Sequence, residues 1–239
     1  METERPGGSQ FEGYSSRGPE QPAPRPEMPS SPAGRPAGAV AIPPGDGPPS
    51  PDYPVRLEID RQERYSRLLP FVKWLLAIPH LLVLVFLYIG VFFAGIAAFF
   101  AVLFTGRYPA GIFKFVAGTI RWTYRVSAYA FLLTDAYPPF SLDAEPGYPV
   151  RMEVEHPEKI ANWRPLVQWL LVVPYYFIAY ILTTIWFYLI VVISFFAILF
   201  TGKYPQALFD FSVVAQRWNL RSTAYMFFMT GKYPPFAYA

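Results

Sequence analysis

The charged residues whose spacing most suggests a binding site lie in two segments of an otherwise apolar chain. They occupy equivalent positions and are Lys114, Arg121 and Arg125 in the first segment, and Asp210, Arg217 and Arg221 in the second. In a helix, spacings of seven and four residues put each set on one stripe, within about 20° at 100° per residue. Guanidinium groups arranged in this way could bind an anion or an anionic lipid headgroup, or could fix helix packing.

The two stripes differ in charge at their first position, where Asp210 replaces Lys114. Only the second segment can therefore form an ion pair within its stripe, between Asp210 and Arg217. We favour the interpretation that the charges pair, or extend towards the membrane interface, and so fix packing and depth. Ligand or anion binding by the stripe is the alternative.

Other reactive groups are few. The chain has no cysteine, which excludes disulfides and cysteine nucleophiles. His80 and His156 are the only histidines, and a lone histidine beside a membrane entry is more often an interfacial side chain than a ligand or a base. The sequence contains no phosphate-binding loop, dinucleotide fingerprint, metal-ligand cluster or nucleophile elbow. We therefore expect a protein that is not an enzyme and that has no cofactor and no metal site.

The two charged segments belong to two copies of one passage. The clearest matches are the motif Tyr-Pro-Val-Arg at 53–56 and 148–151 and the motif Tyr-Pro-Pro-Phe at 137–140 and 233–236. Matching residues differ in number by 95 as far as Pro79 and Pro174, and by 96 from Phe104 and Phe200 onward. One residue has therefore been gained inside the apolar stretch of the second copy. Two copies of this length indicate a duplicated domain rather than a solenoid.

Each copy contains one long apolar run. The chain is 53% hydrophobic, and neither Trp74 to Phe104 nor Trp169 to Phe200 contains an acidic residue, a lysine or an arginine. Both runs exceed the roughly 20 residues that a helix needs to cross a bilayer core of about 30 Å. They are therefore predicted to be membrane helices.

The flanking elements are predicted from local patterns. Alternating apolar residues predict an opening strand in each copy, with Val55, Leu57 and Ile59 on one face of the first and Val150, Met152 and Val154 on one face of the second. The closing stretch 137–142 could complete a small sheet, or both segments could be extended linkers. Gly106 and Gly202 suit helix C-caps. A second helix is then expected at about 109–133 and 205–229.

Charge distribution predicts the topology. Basic residues precede both apolar runs, and the positive-inside rule keeps both groups in the cytoplasm. They are Arg61, Arg64, Arg67 and Lys73 in the first copy, and Lys159 and Arg164 in the second. Each copy then crosses an even number of times, so the expected fold is a mainly α integral membrane protein. It is a duplicated helical hairpin of about four membrane helices, with short extended or β segments at the cytoplasmic face. A second helix that lies in the interface, or an apolar run that enters and returns, is the alternative.

The chain divides into three parts. Residues 1–52 are rich in Pro, Gly, Ser and Glu and predict a disordered tail, whereas 53–143 and 148–239 are the two membrane repeats. The first 30 residues contain no apolar stretch of the signal-peptide kind, so the tail is expected to be cytoplasmic.

The landmarks of both copies carry a family resemblance. They are Tyr-Pro-Val-Arg, Leu-Ala-Ile-Pro-His at 76–80, Phe-Thr-Gly-Arg-Tyr-Pro at 104–109, Arg-Trp at 121–122 with Arg125, and Tyr-Pro-Pro-Phe. With them the chain resembles a bacterial membrane-protein family, domain of unknown function 4389, in two tandem copies. The second copy departs from the pattern at Tyr175, where the first has His80. The resemblance implies a multi-pass protein of the cell membrane, most often in actinobacteria and similar bacteria. It supplies no reaction, ligand or catalytic residue.

Two functional hypotheses follow. The favoured one is a non-enzymatic scaffold or accessory protein that contacts membrane lipid and meets a protein partner through its tail or cytoplasmic face. The alternative is a carrier, a channel or an anionic-lipid-binding protein that uses the arginine stripe. No nucleic-acid partner is expected.

Overall fold

The fold was obtained as a computed structural model that describes residues 53–236, so the predicted tail at 1–52 lies outside the described residues. It is mainly helical with one small sheet, as predicted. In chain order the elements are β1 (Val55–Ile59), α1 (Lys73–Thr105), α2 (Ala110–Ala130), β2 (Val150–Val154), α3 (Arg164–Leu171), α4 (Val173–Ile185), α5 (Val191–Thr201) and α6 (Gln206–Met226). A short 3-10 turn (Leu69–Phe71) precedes α1, and a π turn (Trp186–Ile190) joins α4 to α5.

The two opening strands pair with each other. β1 and β2 are antiparallel, with Leu57 opposite Met152 at the centre of the ladder. Their apolar faces are buried, while the charged side chains of the alternate positions face outward. The closing stretch 137–142 lies outside the sheet, so the prediction that it adds a strand is wrong. Its two prolines have no N–H to donate to a ladder, which explains why it stays outside.

The helix ends follow the predicted chemistry. Gly106 and Gly202 cap α1 and α5 in the left-handed region, with φ of 66° and 69°. A side chain at position 106 would also collide with Asn162, whose Oδ1 lies 2.8 Å from the site of a Cβ. The next helix begins one residue after Pro109 in the first copy and one residue after Pro205 in the second.

The extra residue of the second copy is accommodated in the π turn. α1 is continuous over 33 residues, whereas its counterpart consists of α3, α4, the π turn and α5. A π turn holds one more residue than an α turn of the same rise, so it absorbs an insertion without moving the flanking segments. It lies between Pro174 and Phe200, where the numbering difference changes from 95 to 96. α1 runs through Pro79, but the second copy breaks ahead of Pro174.

The two copies are joined by reciprocal contacts. Tyr65 N–H donates to Gly202 O at 2.9 Å, and the equivalent Ile160 N–H donates to Gly106 O at 2.8 Å. The start of each long apolar helix therefore lies beside the end of the other, so these helices run antiparallel. Reciprocal contacts of this kind indicate an approximate two-fold relation between the copies.

The elements form three layers. β1 packs on α6 and β2 on α2, while α1 packs on the other side of α2 and α4 packs on the other side of α6. Each opening strand thus contacts the second helix of the other copy. The layers are the sheet, then α2 and α6, then α1 with α3–α5.

The outermost helical layer is apolar and exposed. Exposed side chains of α1 include Trp74 at 63%, Phe86 at 73% and Phe104 at 75%. The stretches 73–105 and 173–201 are long and apolar enough to cross a membrane, and only 17% and 22% of their most apolar windows are buried. Within residues 53–236 these are the two candidate spans, where about four were expected. α2 and α6 do not qualify because their charged and polar side chains make them much less hydrophobic than α1, and about half of the residues of each helix are buried in the protein.

Candidate functional site

Arg121 and Arg217, at the middle of the predicted stripe, bind the backbone of the sheet. Arg121 donates from Nε to Met152 O at 3.2 Å and from Nη1 to Leu142 O at 2.8 Å. Arg217 donates from Nε to Leu57 O at 2.9 Å. In a two-stranded ladder, the carbonyls of a non-hydrogen-bonded pair face outward and need partners from elsewhere. The two arginines satisfy those at the centre of the sheet.

The last position of each stripe is the most deeply buried. Arg125 is 1% exposed and donates from Nη2 to Asp143 O at 2.7 Å. Its guanidinium lies 5.9 Å from the ring centroid of Tyr148, and Arg221 lies 5.8 Å from that of Tyr53. These tyrosines open the Tyr-Pro-Val-Arg motifs, so the last arginines anchor the start of each strand through cation–π contacts.

The first position of each stripe is exposed. Lys114 Nζ lies 3.4 Å from Asp143 Oδ1, and both side chains are more than two-thirds exposed. Such surface pairs contribute at most about 1 kcal/mol. Asp210 is also exposed, and no ion pair in the described chain joins it to Arg217. The structure therefore divides each predicted stripe into one solvated residue and two arginines that hold the sheet against α2 and α6.

Gly118 allows the closing stretch to cross α2. A Cβ at this position would lie 2.8 Å from Leu142 O, which is the carbonyl that Arg121 binds. We expect Gly118→Ala to lower the free energy of unfolding by about 1 to 3 kcal/mol, because the backbone must move. Thermal unfolding in detergent measures this change. Gly111→Ala in the same helix is the control, since no atom lies within 4 Å of its Cβ, and an equal loss there would contradict the explanation.

A buried ion pair was not predicted. Lys73 was expected in the basic interfacial approach, but it is 1% exposed and its Nζ lies 2.6 Å from Asp135 Oδ1. Nζ also donates to Thr134 O at 2.7 Å. In the second copy Gln168 takes the position of Lys73, and its Nε2 donates to Thr230 O at 2.9 Å. The sequence did contain a signal for this pair, because the second copy lacks both charges: Gln168 replaces Lys73, and Gly231 replaces Asp135.

His80 lies in the core and not at the interface, so that prediction is wrong. It is fully buried, and its Nδ1 accepts a hydrogen bond from Trp122 Nε1 at 3.1 Å. Its ring stacks on Phe140 of the closing stretch, with centroids 3.8 Å apart. Tyr175 fills the same position in the second copy and stacks on Trp218 at 4.7 Å. The conspicuous histidine thus belongs to an aromatic cluster that holds the closing stretch on the helices.

His156 contacts the first helical turn of α2. Its Nε2 lies 3.0 Å from Tyr108 O, and its ring is 4.7 Å from that of Phe113. Within residues 53–236 no group of three His, Asp or Glu side chains is close enough to hold a metal ion.

The outer face of the sheet carries a charged network. Arg151 binds Asp60 through Nη1 and Nη2 at 2.6 and 2.7 Å, and Nη2 lies 3.4 Å from Glu58 Oε2. The hydrogen bonds that Arg151 donates to Asp60 are the main cause that raises the pKa of Arg151 above its ordinary value. Burial raises the pKa of Tyr65 to about 12, and its hydroxyl donates to Leu133 O at 3.2 Å. The strand arginine therefore stays charged at any physiological pH, and the buried tyrosine stays neutral.

Comparison with known proteins identifies a family but no activity. A family model described as Domain of unknown function (DUF4389) matches the chain twice, over residues 68–141 and 162–237. Together the matches cover more than half of the chain and confirm the tandem duplication. No curated protein and no solved structure matches it.

Proposed function

We propose that this chain, which belongs to the family Domain of unknown function (DUF4389), is a non-enzymatic membrane protein that serves as a scaffold. In this proposal α1 and α3–α5 lie lengthwise in one leaflet of the cell membrane, and the sheet faces the cytoplasm. The exposed apolar layer carries the proposal. A soluble monomer rarely exposes contiguous apolar patches larger than a few hundred Å².

The contacts between the copies support this orientation over four crossing helices. Four crossings would put Tyr65 and Ile160 on one side of the bilayer and Gly106 and Gly202 on the other. Yet Tyr65 N–H donates to Gly202 O, and Ile160 N–H donates to Gly106 O. Residues in hydrogen-bond contact cannot lie on opposite sides of a membrane. With the helices in the plane, all four residues lie on one side and both basic approaches stay in the cytoplasm.

The position of the sheet supports the same orientation. It packs at the middle of α2 and α6, near Arg121 and Arg217. If the long helices stood upright, its charged outer face would lie at the depth of the bilayer centre. A single charge there costs about 2.5 to 3.5 kcal/mol on insertion scales. With the helices in the plane, the same charges face water.

Cysteine labelling of intact membranes distinguishes the arrangements, and the absence of native cysteine makes it specific. The positions Glu63→Cys, Arg107→Cys, Glu158→Cys and Lys203→Cys are exposed and are equivalent in pairs between the copies. We expect a membrane-impermeant maleimide to label all four from the cytoplasmic side.

The alternatives give different patterns in the same experiment. With four crossing helices, Glu63 and Glu158 would be labelled from one side of the membrane, and Arg107 and Lys203 from the other. With one crossing per copy, Glu63 and Lys203 would be labelled from one side of the membrane, and Arg107 and Glu158 from the other. Either pattern contradicts the proposed orientation, and recovery of the protein in the soluble fraction contradicts membrane insertion.

The charged outer face of the sheet is the proposed surface for a protein partner. It displays both signs of charge, with the Arg151 network beside Arg56 and Glu153. Such a face suits a partner whose own charges are arranged in complement, because electrostatic complementarity contributes chiefly to specificity and association rate.

Anionic-lipid binding or transport by the arginine stripe is less well supported. Arg121, Arg125 and Arg217 already donate to backbone carbonyls, and Arg221 lies against the ring of Tyr53. An anion would have to displace those contacts and leave carbonyls without donors, at a cost of about 1 to 3 kcal/mol for each buried group.

A further inference from the structure

A cleft whose mainly apolar lining carries several hydrogen-bonding side chains separates the two long apolar helices. α1 and α4 stand apart at the approximate two-fold axis, and α2 and α6 form the floor between them. The cleft has a volume of about 410 Å³. In the described part of the chain, its lining contains no acidic, lysine, arginine or histidine side chain. Its hydrogen-bonding groups include the indole N–H of Trp186 and the hydroxyls and amides of Thr123, Ser127, Thr183, Gln216, Asn219 and Thr223.

Two polar groups of this cleft have no hydrogen-bond partner among residues 53–236. Trp186 is 3% exposed, and its buried Nε1–H donates to no acceptor in the described chain. Thr183 Oγ1 is likewise buried and unpaired there. Leaving a buried donor unsatisfied costs about 1 to 3 kcal/mol, so both groups point to a missing partner. Trp186 is also the first residue of the π turn, a type of irregularity that is frequent at functional sites.

An apolar groove continues from the cleft. It has a volume of about 590 Å³ and runs along α1 past Val91, Gly95 and Phe99 to Phe227 beyond the end of α6. Tyr88 lines both the cleft and the groove, and its hydroxyl lies 3.0 Å from Thr123 Oγ1. A cleft that offers hydrogen-bonding groups therefore opens into a groove lined chiefly by apolar side chains, and together they are complementary to an amphiphile.

Divergence of the copies leaves the groove open on one side of the axis only. Val191 takes the place of Gly95 in the second copy. There Trp186 and Phe187 pack edge-on against Phe131, with ring centroids 5.1 and 5.3 Å apart. Within residues 53–236 the second copy thus fills the space that the first copy leaves open beside Gly95.

We propose that the cleft and groove together bind one molecule of an uncharged lipid of the diacylglycerol class. The ester and hydroxyl oxygens accept from Trp186 Nε1–H and exchange hydrogen bonds with Thr183, while one acyl chain lies in the groove beside Gly95. A phosphate headgroup is disfavoured because the described lining residues offer it no cation. This site deepens the proposed scaffold function, since it rests on the apolar layer being in contact with lipid.

Native mass spectrometry of the full chain in detergent tests the proposal. Added dioleoylglycerol should give a saturable adduct of one lipid per protein, whereas dioleoylphosphatidylglycerol should bind only weakly and without saturation. Trp186→Phe and Thr183→Val should each weaken dioleoylglycerol binding about tenfold, because each removes one hydrogen bond. Gly95→Val, which introduces the residue of the second copy, should abolish binding by filling the groove.

Gly111→Val is the matched control, because the same change is made where no atom lies within 4 Å of the Cβ. Thermal unfolding of each variant establishes that it is folded. Absence of saturable binding by the native chain, equal binding of phosphatidylglycerol, or binding unaffected by Gly95→Val and both polar variants would each overturn the site. Binding in detergent does not depend on topology, so a contrary labelling pattern with retained binding overturns the orientation alone.

Discussion

Replacing Arg121 and Arg217 together with methionine is expected to lower the free energy of unfolding by about 3 to 6 kcal/mol. Each arginine makes a charged hydrogen bond to an outward carbonyl at the centre of the sheet, through Met152 O or Leu57 O. Hydrogen bonds to charged groups contribute about 1.5 to 3 kcal/mol, and methionine keeps the aliphatic bulk without the donors. The sheet should therefore separate from α2 and α6 before the helices unfold.

Hydrogen exchange in detergent is the local measurement. The amides of β1 and β2 should lose protection in the double variant, while those of α1 keep theirs. Lys114→Met with Lys203→Met is the control, since it removes two positive charges from exposed positions. Retained strand protection in the arginine variant, together with loss of bound phosphatidylglycerol, would contradict a packing role and favour anionic-lipid binding.

Local pattern was sufficient to predict the two strands and the C-terminal ends of the long apolar helices. Alternation identified β1 and β2, and glycines followed by prolines identified the ends of α1 and α5. These features depend on the conformational preferences of single residues and their neighbours, which the sequence states directly. The duplication also located the inserted residue within the apolar run, although only the structure assigns it to the π turn.

The mutual arrangement of the copies could not be predicted in the same way. Their reciprocal contacts run through the backbone of Tyr65 and Gly202, and of Ile160 and Gly106. Backbone hydrogen bonds can be made by almost any residue type, so they leave no side-chain signature. Hydropathy reports how long and apolar a helix is, but it does not report the direction of its neighbour. The cleft at the axis was missed for the same reason.

The general behaviour of polar side chains also led to wrong predictions of which residues are buried. Lys73 was expected among the cytoplasmic basic residues and His80 at the interface, because polar side chains near a membrane entry usually extend towards water. Both are buried because each has a specific partner, Asp135 for the lysine and Trp122 for the histidine. Partners brought together from distant parts of the chain can outweigh the general tendency of a residue type.

Asp135→Asn should lower the free energy of unfolding by about 3 kcal/mol, because it leaves the buried ammonium of Lys73 without its counter-charge. Breaking a buried pair costs about 3 to 5 kcal/mol, and the lower end applies since the Asp135 side chain is 19% exposed. The asparagine keeps an oxygen for the backbone N–H of Ser66, which Asp135 Oδ2 accepts at 2.6 Å. The lower free energy of unfolding would therefore result from the lost charge of Asp135, because asparagine has nearly the same shape.

The second copy suggests the compensating change. Gln168 stands at the position of Lys73 and donates to Tyr225 O at 2.7 Å and to Thr230 O at 2.9 Å without any ion pair. Lys73→Gln combined with Asp135→Asn should therefore return stability to within about 1 kcal/mol of the native chain, because the uncharged amide can use Tyr129 O and Thr134 O in the same way.

Denaturant unfolding in detergent of the two single variants and the double variant gives the coupling energy between the sites. The exposed pair supplies the control: Lys114→Gln and Asp143→Asn should each change stability by less than about 1 kcal/mol and show little coupling. Purely additive losses for Lys73→Gln and Asp135→Asn would mean that the ammonium is solvated in the protein. In that case the difference between the copies at this position would have no electrostatic role in the fold.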